Sequence, residues 1–231
     1  MCYTFYQMEL IKFPLLITNF KTYESATGIK ALELAKLHEV IAKEYGVNFA
    51  VCPQVVDIWM IASQVKLPVL AHHFDAIIHG QFTGHILPEA LKAAGADGSL
   101  LNHAEKRISF SQIADSLNRA AEVDFFTVVC ARDLQEAKNI AALKPDAIAI
   151  EPPELIGGDV SVSTASPNII QKAVSEIPDI PIIIGAGIKT GADIAIALQF
   201  GARGVLVASG VTRALDPKKV LTEFAKALKN C

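Results

Sequence analysis

Eight short runs of aliphatic and β-branched residues recur along the chain, and longer stretches with helical spacing of apolar residues separate them. Runs that are apolar throughout and this short are typical of strands buried on both faces of a parallel sheet. The alternation constrains the fold more than any other feature of the sequence. The candidate strands are Leu15–Thr18, Phe49–Cys52, Val69–Ala71, Ser99–Asn102, Phe126–Val129, Ala147–Ile150, Ile182–Ile184 and Val205–Val207.

The stretches between these runs carry helix start and stop signals. Apolar residues recur at three- and four-residue steps over Ala31–Tyr45, and Gly46 follows as a stop signal. Thr190 and Asp193 form a predicted capping box. Asp216, followed by a proline, predicts the start of the last helix. Each strand is therefore followed by its own helix.

Eight βα units without a long polar linker predict one α/β domain, an eight-stranded parallel (β/α) barrel. Right-handed crossovers place its helices outside. A chain of 231 residues is within the size range of one such domain. A doubly wound open sheet is the alternative. We treat 1–231 as a single domain in which residues 1–8 are a candidate N-terminal extension, because Met8 is a second potential start.

Composition excludes several classes of protein. Hydrophobic residues make up 52% of the chain and charged residues 19%, as in a well-buried globular protein. The formal net charge of −3 provides no basic surface for nucleic acid. The four cysteines are scattered, which fits a reducing compartment, and no apolar run approaches the length of a membrane span. We expect a cytoplasmic protein without nucleic-acid or membrane partners.

Polar residues follow the first candidate strand directly. In a parallel barrel, functional side chains lie where strands end and βα loops begin. Strand alternation puts Asn19 and Lys21 on the side that faces the barrel mouth and turns Phe20 into the packing. Lys21 would place a positive charge over the pocket. The alternative is a solvated lysine at the start of a loop, with which the same sequence is compatible.

A histidine and a glutamate follow the fourth candidate strand. If a helical turn starts near Ala104, His103 lies at its positive end. That position disfavours protonation and leaves a neutral imidazole able to donate a hydrogen bond to a substrate oxygen. Glu105 could then pair with Lys21. Taken alone, a histidine such as His103 is more often structural.

Glu151 stands at the exit of the sixth candidate strand. Two prolines follow it, and the same loop ends in Gly157 and Gly158. Prolines stiffen the start of the loop and glycines free its end, as suits a gate. We interpret Glu151 as a catalytic base next to a hinged lid. A solvated glutamate in a surface loop is the alternative.

Small residues follow the last two candidate strands, as Gly185–Gly187 and as Ala208–Gly210. Small residues let backbone N–H groups approach an anion, and barrels commonly bind phosphate at these two loops. Tight turns that require glycine are the alternative reading. This pattern indicates a class of ligand rather than a reaction.

The segment from His72 to Ile86 contains four histidines. Their spacing is irregular, and no acidic or cysteine partners recur at ligand distances. The sequence therefore predicts no metal site. A long βα loop of this kind more often makes contacts, including contacts with another subunit.

Taken together and in this order, several motifs resemble the triosephosphate isomerase family. The amino-acid sequence of the segment after Glu151 is similar to that of archaeal members of the family. The resemblance runs from about residue 14 to the C-terminus. The motifs are Asn19-Phe20-Lys21, Gly80 with Thr83-Gly84-His85, Leu100-Leu101-Asn102-His103 with Glu105, Glu151 to Gly157, Gly185-Ala186-Gly187 and Leu206 to Gly210.

The resemblance implies a TIM barrel that interconverts dihydroxyacetone phosphate and glyceraldehyde 3-phosphate without a cofactor or metal. It implies that Glu151 is the base, that His103 polarises the substrate and moves protons between its two oxygens, and that Lys21 with Asn19 stabilises the enediolate. Glu105 would support Lys21. The implied substrate-binding residues are Asn19, Phe20, Lys21, Ile156, Gly157, Gly187, Ala208 and Ser209. Thr83 occupies the position of a subunit contact, which implies a homodimer or homotetramer.

Two departures from the family pattern stand out. In the family, a serine at the position of Ala104 holds the catalytic glutamate while the lid is open. We therefore expect this open-state contact to change and the chemical step to be unaffected. Gly158 and Asp159 replace the more usual end of the lid. We expect this hinge to be looser and lid closure to be weaker.

Two other functions are compatible with parts of the pattern. A phosphate-binding barrel lyase or synthase would share the loops around Gly187 and Ser209. A non-catalytic sugar-phosphate binder would share them as well. Neither function requires a lysine, a histidine and a glutamate after the first, fourth and sixth strands.

Overall fold

The computed structural model describes residues 11–151 and 167–230, with the side chains of 167–169 left out. Within this part of the chain, every predicted run lies in or directly beside a β-strand. Val69 precedes its strand and Asn102 follows its strand, so the differences are confined to strand ends. The strands are β1 Leu15–Asn19, β2 Asn48–Cys52, β3 Leu70–Ala71, β4 Gly98–Leu101, β5 Phe126–Ala131, β6 Ala147–Ile150, β7 Ile182–Ile184 and β8 Gly204–Val207.

The strands form one eight-stranded sheet in the order β2-β1-β8-β7-β6-β5-β4-β3, and every pair is parallel. A parallel bridge between Val51 and Val69 joins the two end strands, and the Val51 N–H donates to the Pro68 carbonyl at 3.0 Å. The sheet therefore closes into a barrel. The prediction of an α/β barrel is confirmed, and the open doubly wound alternative is wrong.

Helices follow the strands around the barrel. The predicted caps are present: Gly46 is left-handed with φ 69°, Thr190 and Asp193 form a capping box, and the Asp216 side chain accepts from the Lys219 N–H. In the described ranges the α-helices are α1 Ile29–Tyr45, α2 Ile58–Ala62, α3 Pro88–Ala93, α4 Phe110–Val123, α5 Leu134–Ala141, α6 Pro167–Glu176, α7 Gly191–Gln199, α8 Ser209–Thr212 and α9 Pro217–Lys229.

Strand alternation divides the core into two layers. In β1, Leu15 and Ile17 pack inside the barrel, whereas Leu16 packs outward against the helices. Asn19 continues the inward series, so its side chain reaches the barrel mouth. Phe20 continues the outward series and is fully buried, with its ring 5.8 Å from the His38 ring. The predicted orientations of Asn19 and Phe20 are therefore confirmed.

Over the same described ranges, none of the helices combines the length and the hydropathy needed to cross a membrane.

Candidate active site

Lys21 is held rigidly at the end of β1. Its backbone is left-handed, with φ 48°. Residues other than glycine adopt this conformation only at some energetic cost. The Lys21 N–H donates to Oδ1 of Asn19 at 2.9 Å, which stabilises this bend. Lys21 Nζ lies 2.7 Å from Glu105 Oε1, and the lysine side chain is 17% exposed. The predicted Lys21–Glu105 pair is present.

His103 presents one nitrogen to the cavity. Its Nδ1 accepts a hydrogen bond from the Glu105 N–H at 3.1 Å, so the ring proton is assigned to Nε2. Burial, reinforced by the positive charge of Lys21, lowers the pKa of His103 to about 4. The imidazole is therefore neutral near pH 7.

The cause of this neutrality differs from the predicted one. A single hydrogen-bonded turn follows His103, with the Lys106 N–H donating to its carbonyl at 2.8 Å, and the next helix begins only at Phe110. The turn predicted near Ala104 is therefore present, but only as a single turn that does not continue into a helix. Desolvation and the neighbouring lysine replace the helix dipole as the reason for a neutral ring.

Glu151 directly follows β6 and is 3% exposed. Its N–H donates to the Ala131 carbonyl at 2.8 Å, and its Oε1 lies 3.4 Å from Nε2 of His103. Burial raises the pKa of Glu151 to about 7, against the smaller opposing effects of the Cys130 thiol and the Ala104 N–H. A carboxyl group that titrates near neutrality can both take up and return a proton.

Among the described residues, one oxygen of this carboxylate has no well-aligned hydrogen-bond donor. Oε2 of Glu151 is buried, and no described residue makes a hydrogen bond of good geometry to it. Leaving a buried acceptor unsatisfied is unfavourable. Ala104 has no side-chain hydroxyl that could donate to this carboxylate.

The glycine at position 185 makes room for Glu151. A Cβ atom at Gly185 would lie 2.5 Å from Cγ of Glu151, a distance that non-bonded carbon atoms do not tolerate. The sequence suggested that Gly185 serves close approach to an anion. The structure provides a nearer reason, because the side chain of the glutamate occupies that space.

A cavity of about 660 Å³ opens at the carboxyl ends of the strands. It brings together residues that the sequence singled out on five different strand ends. The lining includes Asn19, Lys21, His103, Glu105, Glu151, Gly187, Ala208 and Ser209, together with Tyr23, Lys189 and Arg213, which sequence reasoning missed. The signal for Lys189 and Arg213 was available, since both basic residues follow the glycine-rich ends of β7 and β8.

Two of the predicted site residues, Phe20 and Thr83, do not line this cavity. The side chain of Phe20 is in the outer core, so it is away from the cavity. Thr83 is exposed on the loop between β3 and α3. Ile156 and Gly157 lie outside the described residues, as do Gly158 and Asp159 and the candidate extension at residues 1–8.

The histidines after β3 have separate partners. Nε2 of His72 bonds the Cys52 carbonyl at 2.9 Å, and Nε2 of His73 lies 3.3 Å from Oδ1 of Asp75. His79 and His85 are exposed. No group of three or more potential ligands in the described ranges is arranged to hold a metal ion.

Glu151→Gln is expected to stabilise the fold increasingly as the pH rises. The pKa of Glu151 in the folded protein, about 7, lies above the ordinary glutamate value of 4.5, so the folded protein holds this proton more tightly than the unfolded chain. In the wild type, the contribution of the Glu151 carboxyl group to the free energy of unfolding is fully present below about pH 4.5. This contribution is lost as the pH rises through about 7. The variant avoids that loss, which amounts to roughly 3 kcal/mol.

Urea unfolding of both proteins at pH 4, 6 and 8 measures the difference in free energy of unfolding. Glu33→Gln, at an exposed position of α1, is the control and should show no such trend. A Glu151→Gln difference that does not change with pH would contradict the buried, proton-binding state.

Comparison with known proteins agrees with this geometry. A family model described as triosephosphate isomerase matches residues 14–228. A triosephosphate isomerase of Methanobacterium bryantii is 45% identical over 224 residues, which cover 95% of this chain and 99% of the relative. The enzyme of that name from Methanothermus fervidus is 43% identical and covers 91% and 97%. The one from Methanocaldococcus jannaschii is 43% identical and covers 92% and 99%.

Proposed function

Because this chain belongs to the triosephosphate isomerase family, and so interconverts dihydroxyacetone phosphate and glyceraldehyde 3-phosphate, we propose that Glu151, His103 and Lys21 carry out the reaction. The observation that supports these roles most strongly is the 3.4 Å approach of a buried carboxylate to a neutral imidazole. Family membership also disfavours the lyase, synthase and binding-protein alternatives.

In the proposed reaction, ionised Glu151 removes a proton from the carbon next to the carbonyl group. The electron pair of that C–H bond forms a carbon–carbon double bond, and the carbonyl oxygen becomes an enediolate oxygen. Glu151 then returns the proton to the neighbouring carbon. A carboxyl pKa near 7 suits both transfers, because neither the protonated nor the ionised form is strongly disfavoured.

His103 moves the second proton in this scheme. Its neutral ring carries hydrogen on Nε2, so it can donate to one substrate oxygen while negative charge develops there. A proton that passes from the ring to this oxygen is replaced from the other oxygen, which completes the exchange. The bond from the Glu105 N–H to Nδ1 keeps Nε2 pointed at the substrate.

Lys21 supplies the fixed positive charge for the enediolate. It is mostly buried and paired with Glu105, and the Asn19 amide holds its backbone. Electrostatic groups that are already oriented stabilise developing charge without reorganising during the reaction. Asn19 therefore supports the site mainly by holding Lys21.

The phosphate of the substrate is assigned to the end of the cavity lined by Gly187, Ala208 and Ser209. Gly187 is left-handed, with φ 72°, and the absence of a side chain lets its backbone approach an anion. Ile156 and Gly157 are proposed to cover the phosphate from the lid.

A coupled isomerase assay of the wild type beside Glu151→Asp and Lys21→Ala tests these roles. The assignment predicts a large loss of turnover in both variants, and unchanged turnover in either one would contradict the role of the residue it replaces.

We also propose a cytoplasmic homo-oligomer, a dimer or a tetramer, assembled through the loop between β3 and α3. This loop carries Ile78 and Phe82, which are 60% and 41% exposed. Large apolar side chains exposed on one loop are typical of an interface. Two hydrogen bonds between Asp75 and Ile86 close the base of the loop, so it is preorganised for contact.

Phe82→Glu is expected to weaken this association, because a carboxylate would lose hydration inside an apolar contact. Light scattering over a range of concentrations should give at least a dimer for the wild type and a smaller mass for the variant when dilute. Val40→Glu, on an exposed position of α1, is the control and should keep the wild-type mass. A monomeric mass for the wild type at all concentrations would refute the proposal.

A further inference from the structure

The carboxylate of Glu136, in the first turn of α5, joins the loop that carries His103 to the loop that follows β5. Its Oε1 accepts from Nη2 of Arg107 and, at 3.5 Å, from the side-chain amide of Asn102. Its Oε2 accepts from the Arg132 N–H at 2.8 Å. The proposed reaction assigns no role to this carboxylate, although its three donors all lie in loops at the mouth of the barrel.

Asn102 connects this carboxylate to the active site. It directly precedes His103, is 1% exposed and has a left-handed backbone with φ 58°. Its side-chain amide donates to the Cys130 carbonyl at 2.9 Å, and its own carbonyl accepts from Nη1 of Arg107 at 3.3 Å. A strained backbone of this kind persists only where the surrounding contacts hold it.

Resting on the proposed catalytic roles of His103 and Glu151, we propose that Glu136 is a positioning residue for the isomerase reaction. The Arg107 guanidinium bridges Glu136 to the carbonyl of Asn102, so the ion pair fixes the segment from Asn102 to Arg107. That segment carries the His103 ring and sets its distance from Glu151.

The segments that carry His103 and Glu151 are both hydrogen-bonded to the end of β5. Asn102 is bonded to the Cys130 carbonyl, and the Glu151 N–H donates to the next carbonyl, that of Ala131. Glu136 connects the loop that carries His103 to α5, which is the helix that follows β5. Loosening Glu136 therefore moves His103 relative to Glu151 and leaves the phosphate-binding loops after β7 and β8 in place.

This geometry predicts an effect on turnover rather than on stability or on binding. The side chains of Arg107 and Glu136 are 36% and 19% exposed, and ion pairs near the surface contribute little to folding stability. Catalysis is more sensitive, because misplacing a reacting group by about 1 Å costs on the order of 10²-fold in rate. A partial loss of positioning corresponds to about a tenfold lower kcat.

Glu136→Gln is the direct test, because it removes the charge and keeps the shape of the side chain. Glu176→Gln is the matched control, since Glu176 pairs with Lys138 of the same helix α5 at 2.5 Å and lines no part of the cavity. We expect kcat to fall about tenfold in Glu136→Gln only. KM and the competitive inhibition constant of inorganic phosphate should stay within about twofold of wild type, as expected for an interaction that matters mainly in the transition state.

Arg107→Met removes the same ion pair from its other side and should reproduce the loss of kcat, so the test does not depend on one variant folding. The double variant Arg107→Met with Glu136→Gln should lose little more than either single variant, because the two act as a unit. The ¹⁵N signals of the His103 ring should change in Glu136→Gln and stay unchanged in Glu176→Gln.

A kcat for Glu136→Gln equal to that of Glu176→Gln would overturn the proposal, as would a rise in KM that accounts for the whole loss. The roles of Glu151 and Lys21 are judged from their own variants, so failure of the Glu136 proposal can be distinguished from failure of the proposed mechanism.

Discussion

Glu151→Asp is expected to lower kcat by about 10²-fold or more, since general base catalysis is worth ~10²–10⁴-fold and the shorter side chain withdraws the carboxylate from the substrate. The substitution removes one methylene and keeps the charge, so it changes the position of the base more than its chemistry. Substrate binding through the phosphate should be nearly unchanged, and KM should therefore change less than kcat.

The surroundings of Glu151 cannot compensate for this shortening. The strand fixes the backbone through the bond from the Glu151 N–H to Ala131, so the missing length is not recovered by movement of the main chain. The space beside Gly185 that accommodates Cγ of the glutamate would be left partly empty. The 3.4 Å approach to the His103 ring would lengthen as well.

The measurement is a coupled isomerase assay under saturating substrate, with circular dichroism to establish that the variant is folded. Glu176→Asp makes the same chemical change on α6 and should keep wild-type turnover. If Glu151→Asp is folded and turns over as fast as the control, Glu151 is not the base.

Lys21→Ala is expected to lower kcat/KM by about 10³-fold or more. Removing a single oriented hydrogen-bond donor from a developing oxyanion typically costs ~10²–10³-fold, and this variant removes a full charge. Alanine and lysine both carry a Cβ atom, so the left-handed backbone at φ 48° is about equally strained in both. The loss should therefore appear in catalysis rather than in folding.

A second consequence distinguishes Lys21 from a purely binding residue. Its charge helps to lower the pKa of His103 below the ordinary value, second to burial, and it also opposes the burial that raises the pKa of Glu151. Without Lys21 both pKa values should rise. The acid limb of the pH profile of kcat/KM should then move to higher pH, because the base must be ionised in the free enzyme.

Kinetics of Lys21→Ala as a function of pH test both points. Lys30→Ala, which breaks the exposed pair with Glu24, is the control and should behave as wild type. A Lys21→Ala variant that loses only affinity for substrate, with kcat and pH profile unchanged, would contradict a role for Lys21 in stabilising the enediolate.

Local sequence signals predicted the elements of this fold because each signal has a local cause. Gly46 ends α1 because it adopts a left-handed conformation, and Thr190 starts α7 through a bond to a residue three positions away. Burial on both faces selects apolar residues within a strand such as Ala147–Ile150 wherever the sheet lies. Parallel strands joined by short connections are compatible with only a few topologies.

The sequence also singled out Lys21, His103 and Glu151, because functional side chains of a parallel barrel follow the ends of its strands, and the structure brings all three to one cavity. It could not give the reason for the neutral imidazole, since the burial of His103 and the proximity of Lys21 depend on segments about 80 residues apart. For the same cause it missed Gly185 as the space for Glu151, and it missed the carboxylate of Glu136 altogether. Spacing along one chain reveals which residues share an element, whereas desolvation, approach distances and bridging ion pairs exist only once distant elements are packed together.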